Sequence, residues 1–238
     1  MIETTLFAGP STFGIDLPAL TFPGLVLCPP VGRGDIEKLV QSQPVAGVII
    51  ICDGVFESRP AVSHKEICLA LDKGWQVWGV SSIGAIRARE MSCQGMRGYG
   101  EVYRMFCAED DFCDDEACLL YFPEVPYFPV TEPLVNVRHA LNKVASELGI
   151  LPHQAESLIS HLRSLWFGER SMAATGNFMR QQLDLKEVTI DAFLAWLAAN
   201  RIKAIDLKNI LIERPWEQDG EHGDSQAGFC VTRDESNR

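Results

Sequence analysis

Four short apolar runs constrain the fold of this chain more than any other feature. Each run is bounded by glycine or proline, and none alternates apolar with polar residues as a half-exposed strand does. The runs are TTLFAG (4–9), LVLCPP (25–30), AGVIIICDG (46–54) and QVWGVSS (76–82). Uninterrupted apolar strands of this kind are typical of a parallel sheet that is buried on both faces.

Helical patterns separate these runs. Asp35 is a candidate N-cap for a first helix, and Pro60, preceded by Ser58 or Arg59, is expected to open a second helix that ends at Gly74. Strands that alternate with helices indicate parallel crossovers. We therefore predict an α/β fold over residues 1–125, with a small parallel sheet flanked by helices in a flavodoxin-like or Rossmann-like arrangement.

The second half of the chain has the periodicity of helices. Apolar stripes begin at Leu134 and Leu158, and two further helices are predicted at 188–201 and at 206–214, the last capped by Asp206. Residues 126–214 are therefore expected to form a C-terminal helical appendage. The segment 215–238 is polar and aperiodic, and we expect it to be a disordered tail.

Composition excludes several classes of function. The chain has 32 acidic against 21 basic residues, a net charge of −11, which argues against a nucleic-acid partner. No apolar run approaches the length of a membrane span, and the first residues have no signal-peptide pattern, so we expect a cytoplasmic protein without a membrane partner. The sequence has neither a P-loop nor a GxGxxG motif, and we expect no cofactor.

The cysteines and the acidic residues do not form a convincing metal site. None of the eight cysteines belongs to a CxxC pair, so they are expected to be reduced thiols. Cys52 has two interpretations, a persulfide carrier or a buried strand thiol, and the second fits its apolar surroundings better. The segment CAEDDFCDDEAC (107–118) precedes an apolar run, which fits a charged helix start or turn. We predict no metal.

Polar residues follow all four predicted strands, where parallel strands present their carboxyl ends. Asp53, with Glu57 close behind it, follows the third strand, and Ser82 follows the fourth. His64 is spaced to share a helix face with Ile67, so it is expected near the same edge. The predicted catalytic set has Ser82, or a water activated by His64, as nucleophile, His64 as base, and Asp53 or Glu57 as the orienting acid. Structural alternatives are a helix cap for Ser82, a core histidine for His64 and a turn residue for Asp53.

Further residues at these strand ends are suited to an anionic substrate. Arg33 and Arg87 are cations that can hold a carboxylate or thiocarboxylate. Free N–H groups at the start of the helix after Ser82 can bind an oxyanion. The predicted substrate-binding residues are Ser11, Arg33, Lys65, Ser81, Gly84 and Arg87.

Seven short motifs occur in order along the first half of the chain. They are GPS (9–11), PPVGRGD (29–35), DGVFE (53–57), HKEI (64–67), GVSSIGAIRARE (79–90), GMRGYGEVY (95–103) and DDEA (114–117). Together they resemble the motifs of the TfuA-like proteins, which accompany YcaO enzymes in thioamide formation, and the resemblance covers roughly residues 4–150.

The resemblance implies a role in sulfur delivery. By this expectation the protein hydrolyses a thiocarboxylated carrier and releases sulfide, which the YcaO enzyme installs in a peptide or protein backbone, as in ribosomally made peptides (RiPPs). The implied partners are a YcaO protein, a ThiS-like small sulfur carrier protein and a precursor peptide. The alternative is a non-catalytic adaptor that docks YcaO to its peptide substrate or to the sulfur carrier.

Overall fold

The computed structural model describes residues 2–55, 59–108 and 112–218. Its centre is a parallel sheet built from β1 (Thr4–Phe7), β2 (Leu25–Cys28), β3 (Val48–Ile51), β4 (Gln76–Val80) and β5 (Arg97–Tyr99). The strand order is β2-β1-β3-β4-β5, and all four pairings are parallel. This confirms the predicted α/β fold with a small parallel sheet, and the order is the flavodoxin-like one.

The fifth strand was not predicted, because its glycine-rich segment was interpreted as a loop before a helix. Only three residues pair with β4, so no apolar run marks the strand. Gly98 lies at its centre, and a Cβ there would meet the ring of Tyr103 at 2.2 Å. The glycine is therefore required for an aromatic ring to pack directly on the strand.

Ten α-helices accompany the sheet in the described residues. Helices α1–α4 span Asp35–Ser42, His64–Asp72, Ile83–Glu90 and Gly100–Ala108. Helices α5–α8 span Leu134–Val144, Pro152–Ser164, Met172–Gln182 and Glu187–Ala199, and α9 and α10 span Ile202–Glu213 and Pro215–Gln218. Within the described ranges, no helix is long and apolar enough to cross a membrane.

The two faces of the sheet are covered differently. Helices α1–α4 pack on the face that carries Phe7, Ile49 and Ile51. The opposite face carries Leu6 and Ile50, and the connection from β1 to β2 supplies only two short 3-10 turns to cover it. This face is closed instead by α9 and α10, which return from the far end of the chain.

The predicted C-terminal helices divide into two groups. Helices α5–α8 form a hydrophobic cluster of their own, whereas Leu207 and Ile210 of α9 pack against the sheet. Helix α9 is thus part of the α/β core by its contacts. The predicted disordered tail differs at its start, because α10 is helical and its Trp216 is buried against the same face. Residues 219–238 lie outside the described part of the chain.

Helix α2 begins later than predicted. Its N-cap is Ser63, whose hydroxyl accepts the Glu66 N–H, while the Glu66 carboxylate accepts the Ser63 N–H. This capping box starts the helix at His64 rather than at Pro60. The buried face is centred on Glu66, Ile67 and Ala70, which places His64 at the side of the helix.

Asp206 caps a different helix from the predicted one. Helix α9 already begins at Ile202, so Asp206 lies inside it. Its carboxylate accepts the N–H groups of Glu101 (2.9 Å) and Val102 (2.8 Å), the otherwise unpaired donors at the start of α4. Gly100 has φ +95°, and a Cβ there would meet the carboxylate at 2.4 Å. Helix α9 is thereby attached to α4 as well as to the sheet.

The role of α9 in the core can be tested with two isoleucines on this helix. Ile210 is fully buried, and Ile212 is 57% exposed. We expect Ile210→Ala to lower the free energy of unfolding by about 2–5 kcal/mol, because it leaves a cavity against the sheet. The matched control Ile212→Ala should change it by less than about 0.5 kcal/mol. Equal losses in urea unfolding would show that α9 does not close the core.

The buried carboxyl group of Asp206 predicts a pH dependence of stability. Burial raises the pKa of Asp206 to about 6, although the N–H groups of Val102 and Glu101 oppose the shift. Between about pH 4, where an unfolded Asp titrates, and about pH 6, the folded state binds a proton that the unfolded state has released. The free energy of unfolding should therefore fall as pH rises through this window.

A side chain at position 206 that does not titrate should abolish this pH dependence of the free energy of unfolding. We expect Asp206→Asn to flatten the decline in urea midpoint between pH 4 and 6 by an amount equivalent to roughly 2–3 kcal/mol at most. The variant and the parent should show the same slope above pH 7. Parallel curves across the whole range would contradict the assignment.

Candidate functional site

The carboxylate of Asp53 is the centre of a buried polar site at the carboxyl ends of β1 and β3. Its Oδ2 accepts the N–H groups of Gly9 and Ser11, each at 2.9 Å, and its Oδ1 accepts the hydroxyl of Ser11 at 2.7 Å. The side chains of Asp53 and Ser11 are both buried. Strand order changes direction between β1 and β3, which is where α/β sheets of this kind bind ligands.

Lys203 brings a positive charge to this carboxylate. Its Nζ lies 3.8 Å from Oδ1 of Asp53 and donates a hydrogen bond to the carbonyl of Ala117 at 2.9 Å. The carbonyl of Lys203 accepts the hydroxyl of Ser81 at 2.7 Å, and its N–H points to Asn136 at 3.4 Å. A lysine at the first turn of α9 thus joins the ends of β3 and β4 to α5.

A second ion pair lies beside the first. Glu132 is buried, and its Oε1 lies 2.6 Å from Nη2 of Arg201 and accepts a hydrogen bond from Nε at 2.7 Å. Its Oε2 accepts the amide of Asn136 at 3.0 Å. Ser11, Lys203 and these three residues all line one small cleft. The cleft therefore combines a hydroxyl, a carboxylate, an amide and two cations.

One hairpin, residues 120–131, forms a wall of this cleft; we name it the aromatic hairpin. Its two arms are joined by the Phe122 N–H to the Phe128 carbonyl (3.0 Å) and the Val130 N–H to the Leu120 carbonyl (2.8 Å). Pro129 of the hairpin lines the cleft. Burial raises the pKa of Tyr121, and the negative charge of Asp53 adds to the rise.

The structure brings together Asp53, Ser11 and Ser81 of the residues predicted from sequence, but it places His64 elsewhere. The His64 side chain is 56% exposed, and its Nε2 lies 2.7 Å from Glu90. Arg87 contacts the same Glu90 carboxylate at 2.5 Å. The prediction that His64 faces the sheet beside Asp53 is wrong, because α2 begins at this residue and turns its buried face away from it.

His64 and Arg87 both form ion pairs with the carboxylate of Glu90. Burial acts to raise the pKa of Glu90, but hydrogen bonds from His64 and Arg87 outweigh it and the pKa is lowered. Arg87 also donates from Nε to the carbonyl of Val62 at 3.1 Å, so its guanidinium joins α3 to the start of α2. The guanidinium that was predicted to hold an anionic substrate therefore contacts Glu90 and the Val62 carbonyl instead.

The turn between β4 and α3 contains the remaining predicted serines. Ser81 has a φ of +64°, a conformation that costs energy for a residue with a Cβ. Ser82 occupies the N-cap position of α3, yet its side chain makes no capping hydrogen bond. Gly84 permits close packing, because a Cβ there would lie 1.7 Å from the Ile51 carbonyl. Its place is explained by the approach of α3 to β3.

The other predicted residues lie apart from the cleft. Arg33 and Lys65 are exposed, and neither lines the cleft. Glu57 lies outside the described residues. The structure therefore does not place these three residues in the cleft, and their roles in catalysis and substrate binding stay predictions.

Cys52 precedes Asp53 but is poorly suited to sulfur transfer. The thiol is fully buried, and burial together with the charge of Asp53 raises its pKa well above the usual range. A thiol that stays protonated is a weak nucleophile. None of the seven described cysteines forms a disulfide.

The acidic segment near residue 115 is held by arginines. Arg170, which is buried, pairs with Asp115 at 2.5 Å, and Arg138 binds both carboxylate oxygens of Glu116 at 2.8 Å. Among the described residues, no group of three or more His, Cys, Asp or Glu side chains is arranged to hold a metal. The described acids of this segment thus fix the 3-10 turn Asp114–Ala117 against α5.

Sequence reasoning missed four cleft residues, namely Glu132, Asn136, Arg201 and Lys203. A signal existed for Lys203, which precedes Leu207 by four residues and Ile210 by seven and so lies on the apolar stripe of its helix. A charged residue on such a stripe is rarely buried without a partner. Because the predicted helix begins at Asp206, the sequence analysis assigns Lys203 to the loop before it.

Residues 53–171 match the family described as TfuA-like protein. The matched segment is half of the chain and begins at the buried carboxylate of the site. The chain belongs to the TfuA-like family. This confirms the resemblance seen in the sequence motifs, of which the first two lie before the matched segment. Comparison with curated proteins gives no match.

The buried network of this TfuA-like protein can be tested through stability. We expect Asp53→Ala to lower the free energy of unfolding by about 3–5 kcal/mol, because Lys203 would remain buried without its carboxylate. The exposed His64 serves as control, and His64→Ala should cost less than about 0.5 kcal/mol. Urea unfolding measures both. A loss for His64→Ala as large as for Asp53→Ala would contradict this placement of the two residues.

Proposed function

We propose that this TfuA-like protein hydrolyses a protein-bound thiocarboxylate and releases sulfide for a YcaO partner. The observation that carries the proposal is the cleft in which the Ser11 hydroxyl is bonded to Asp53, with Lys203 beside the same carboxylate. Such a group of nucleophile, acceptor and cation suits acyl transfer from an anionic substrate. Family membership supports an accessory role of this kind.

The proposed reaction has two steps. The Ser11 oxygen attacks the carbonyl carbon of the thiocarboxylate, the carbon–sulfur bond breaks, and the serine proton passes through Asp53 to the leaving sulfur as HS⁻. Water then hydrolyses the ester and restores the serine hydroxyl. Hydrolysis of the ester gives the carboxylate and one proton, so the net reaction consumes one thiocarboxylate and one water and gives one carboxylate, one HS⁻ and one proton (together H₂S), with no redox change.

Each neighbouring group has a distinct part in this proposal. Lys203 lowers the energy of the negative charge that develops on oxygen and sulfur, an effect strengthened by burial. Asp53 accepts hydrogen bonds from the N–H and the hydroxyl of Ser11, and a third from the Gly9 N–H, and so fixes the hydroxyl before attack. Arg201 and Asn136, on the same cleft, are positioned to bind the main chain or terminal oxygen of the substrate.

The adaptor function remains the second candidate, and one observation favours it. Every polar group of the cleft already has a protein partner, including both oxygens of Asp53 and of Glu132. A fully satisfied buried network can serve structure alone. In that case the protein would dock YcaO to its peptide substrate or sulfur carrier without any chemistry at Ser11.

Two alanine variants separate these functions. We expect Ser11→Ala to reduce sulfide release from the thiocarboxylated carrier by roughly 10²-fold or more, the usual scale for loss of an acid–base or nucleophilic group. The matched control Ser82→Ala, which removes a hydroxyl without a capping bond, should leave release within about twofold. Sulfide is measured by a colorimetric assay.

If Ser82→Ala loses sulfide release and Ser11→Ala keeps it, the nucleophile is Ser82. If neither variant changes release, and if thioamide formation with YcaO still depends on the protein, the adaptor function is the correct one.

A further inference from the structure

The aromatic hairpin presents an unusually apolar outer surface. Phe122 is 57% exposed, Val125 is 79% exposed and Phe128 is 53% exposed, and Val130 is also exposed. Large apolar side chains that are exposed singly are common, but a group of four within nine residues marks an interaction surface. Glu124 is the only charged residue of residues 120–131 in a chain with a net charge of −11.

The inner surface of the same hairpin is attached to the candidate site. Phe128 packs edge-on against Phe13, with ring centroids 5.3 Å apart, and the Arg201 guanidinium lies 5.5 Å from the Phe13 ring centre. Pro129 lines the cleft together with Ser11. One face of the hairpin therefore borders the proposed reaction site, and the other face meets solvent.

We propose that the aromatic hairpin is the docking surface for the body of the thiocarboxylated carrier protein. This inference rests on the proposed function. A thiocarboxylate at a chain terminus must approach Ser11 past Pro10, Pro129 and Pro133, which line the cleft. Because the cleft is small, the folded body of the carrier must stay outside it, against the aromatic hairpin that borders it.

The outer surface of the aromatic hairpin determines which kind of surface the carrier must present. Apart from Glu124, the exposed side chains of the hairpin are apolar, so the carrier should present an apolar patch next to its C-terminal tail. Burying such surfaces drives association, and few charges cross the contact. Binding should therefore depend little on ionic strength.

The test compares two pairs of exposed residues. The double variant Phe122→Ser/Val125→Ser removes the outer apolar surface and spares Phe128, which packs on Phe13. The control Val45→Ser/Val188→Ser changes residues that are 74% and 70% exposed elsewhere. The ligand is the carrier with its ordinary C-terminal carboxylate, which binds without turnover, and Kd is measured by calorimetry.

We expect the hairpin variant to weaken carrier binding at least tenfold and the control to stay within twofold. Hydrolysis of thioacetate, which is too small to reach from the cleft to Phe122 or Val125, should be the same in the hairpin variant and the parent. Ser11→Ala should lose thioacetate hydrolysis while keeping the Kd for the carrier. Unchanged melting temperatures confirm that the variants fold.

The outcomes distinguish the docking surface from the proposed chemistry. If the parent hydrolyses neither thioacetate nor the carrier, the proposed function fails, yet the Kd values still decide docking. Equal Kd values for the hairpin variant and the parent, or no binding of the carrier to the parent, overturn the proposal. It is also overturned if the hairpin variant keeps its Kd and loses only self-association or YcaO binding, because the surface then belongs to another partner.

Discussion

The packing of α9 against the sheet is the contact on which the rest of the structure depends. The β1–β2 connection contains 3-10 turns but no α-helix to cover Leu6 and Ile50, and Leu207 and Ile210 of α9 cover them. The same helix carries Lys203 into the polar site one turn earlier. Because burial of the apolar face fixes the position of the helix, it also fixes the position of the charge. Stability and the geometry of the candidate site are therefore linked.

The polar site is stable only as a network. A buried lysine is costly unless a carboxylate and hydrogen-bond acceptors replace its water, and Asp53 and the Ala117 carbonyl do so. Asp53 in turn accepts the N–H groups at the end of β1, which ties the switch point of the sheet to α9. The same low-dielectric environment that makes an unpaired charge costly would strengthen the field of Lys203 on a bound anion.

The sequence located the edge of the sheet where the site lies, but it did not select the right side chains. Strand ends are local features, so the convergence of Asp53, Ser11 and Ser81 follows once the parallel sheet is known. His64 was misplaced because the capping box of Ser63 and Glu66, rather than Pro60, sets the start of α2. In the structure the buried face of α2 is formed by Glu66, Ile67 and Ala70, and His64 lies in the exposed first turn.

The sequence by itself determined four of the strands, the parallel α/β class and the TfuA-like motifs, because these depend on short runs of residues. The partners of Asp53 were decided only by tertiary structure. Lys203 lies 150 residues away in the chain, and its approach depends on which helix covers the second face of the sheet. Asp206 similarly caps α4 across the fold rather than its own helix. Such contacts arise from the packing of distant elements, and local patterns do not encode their pairing.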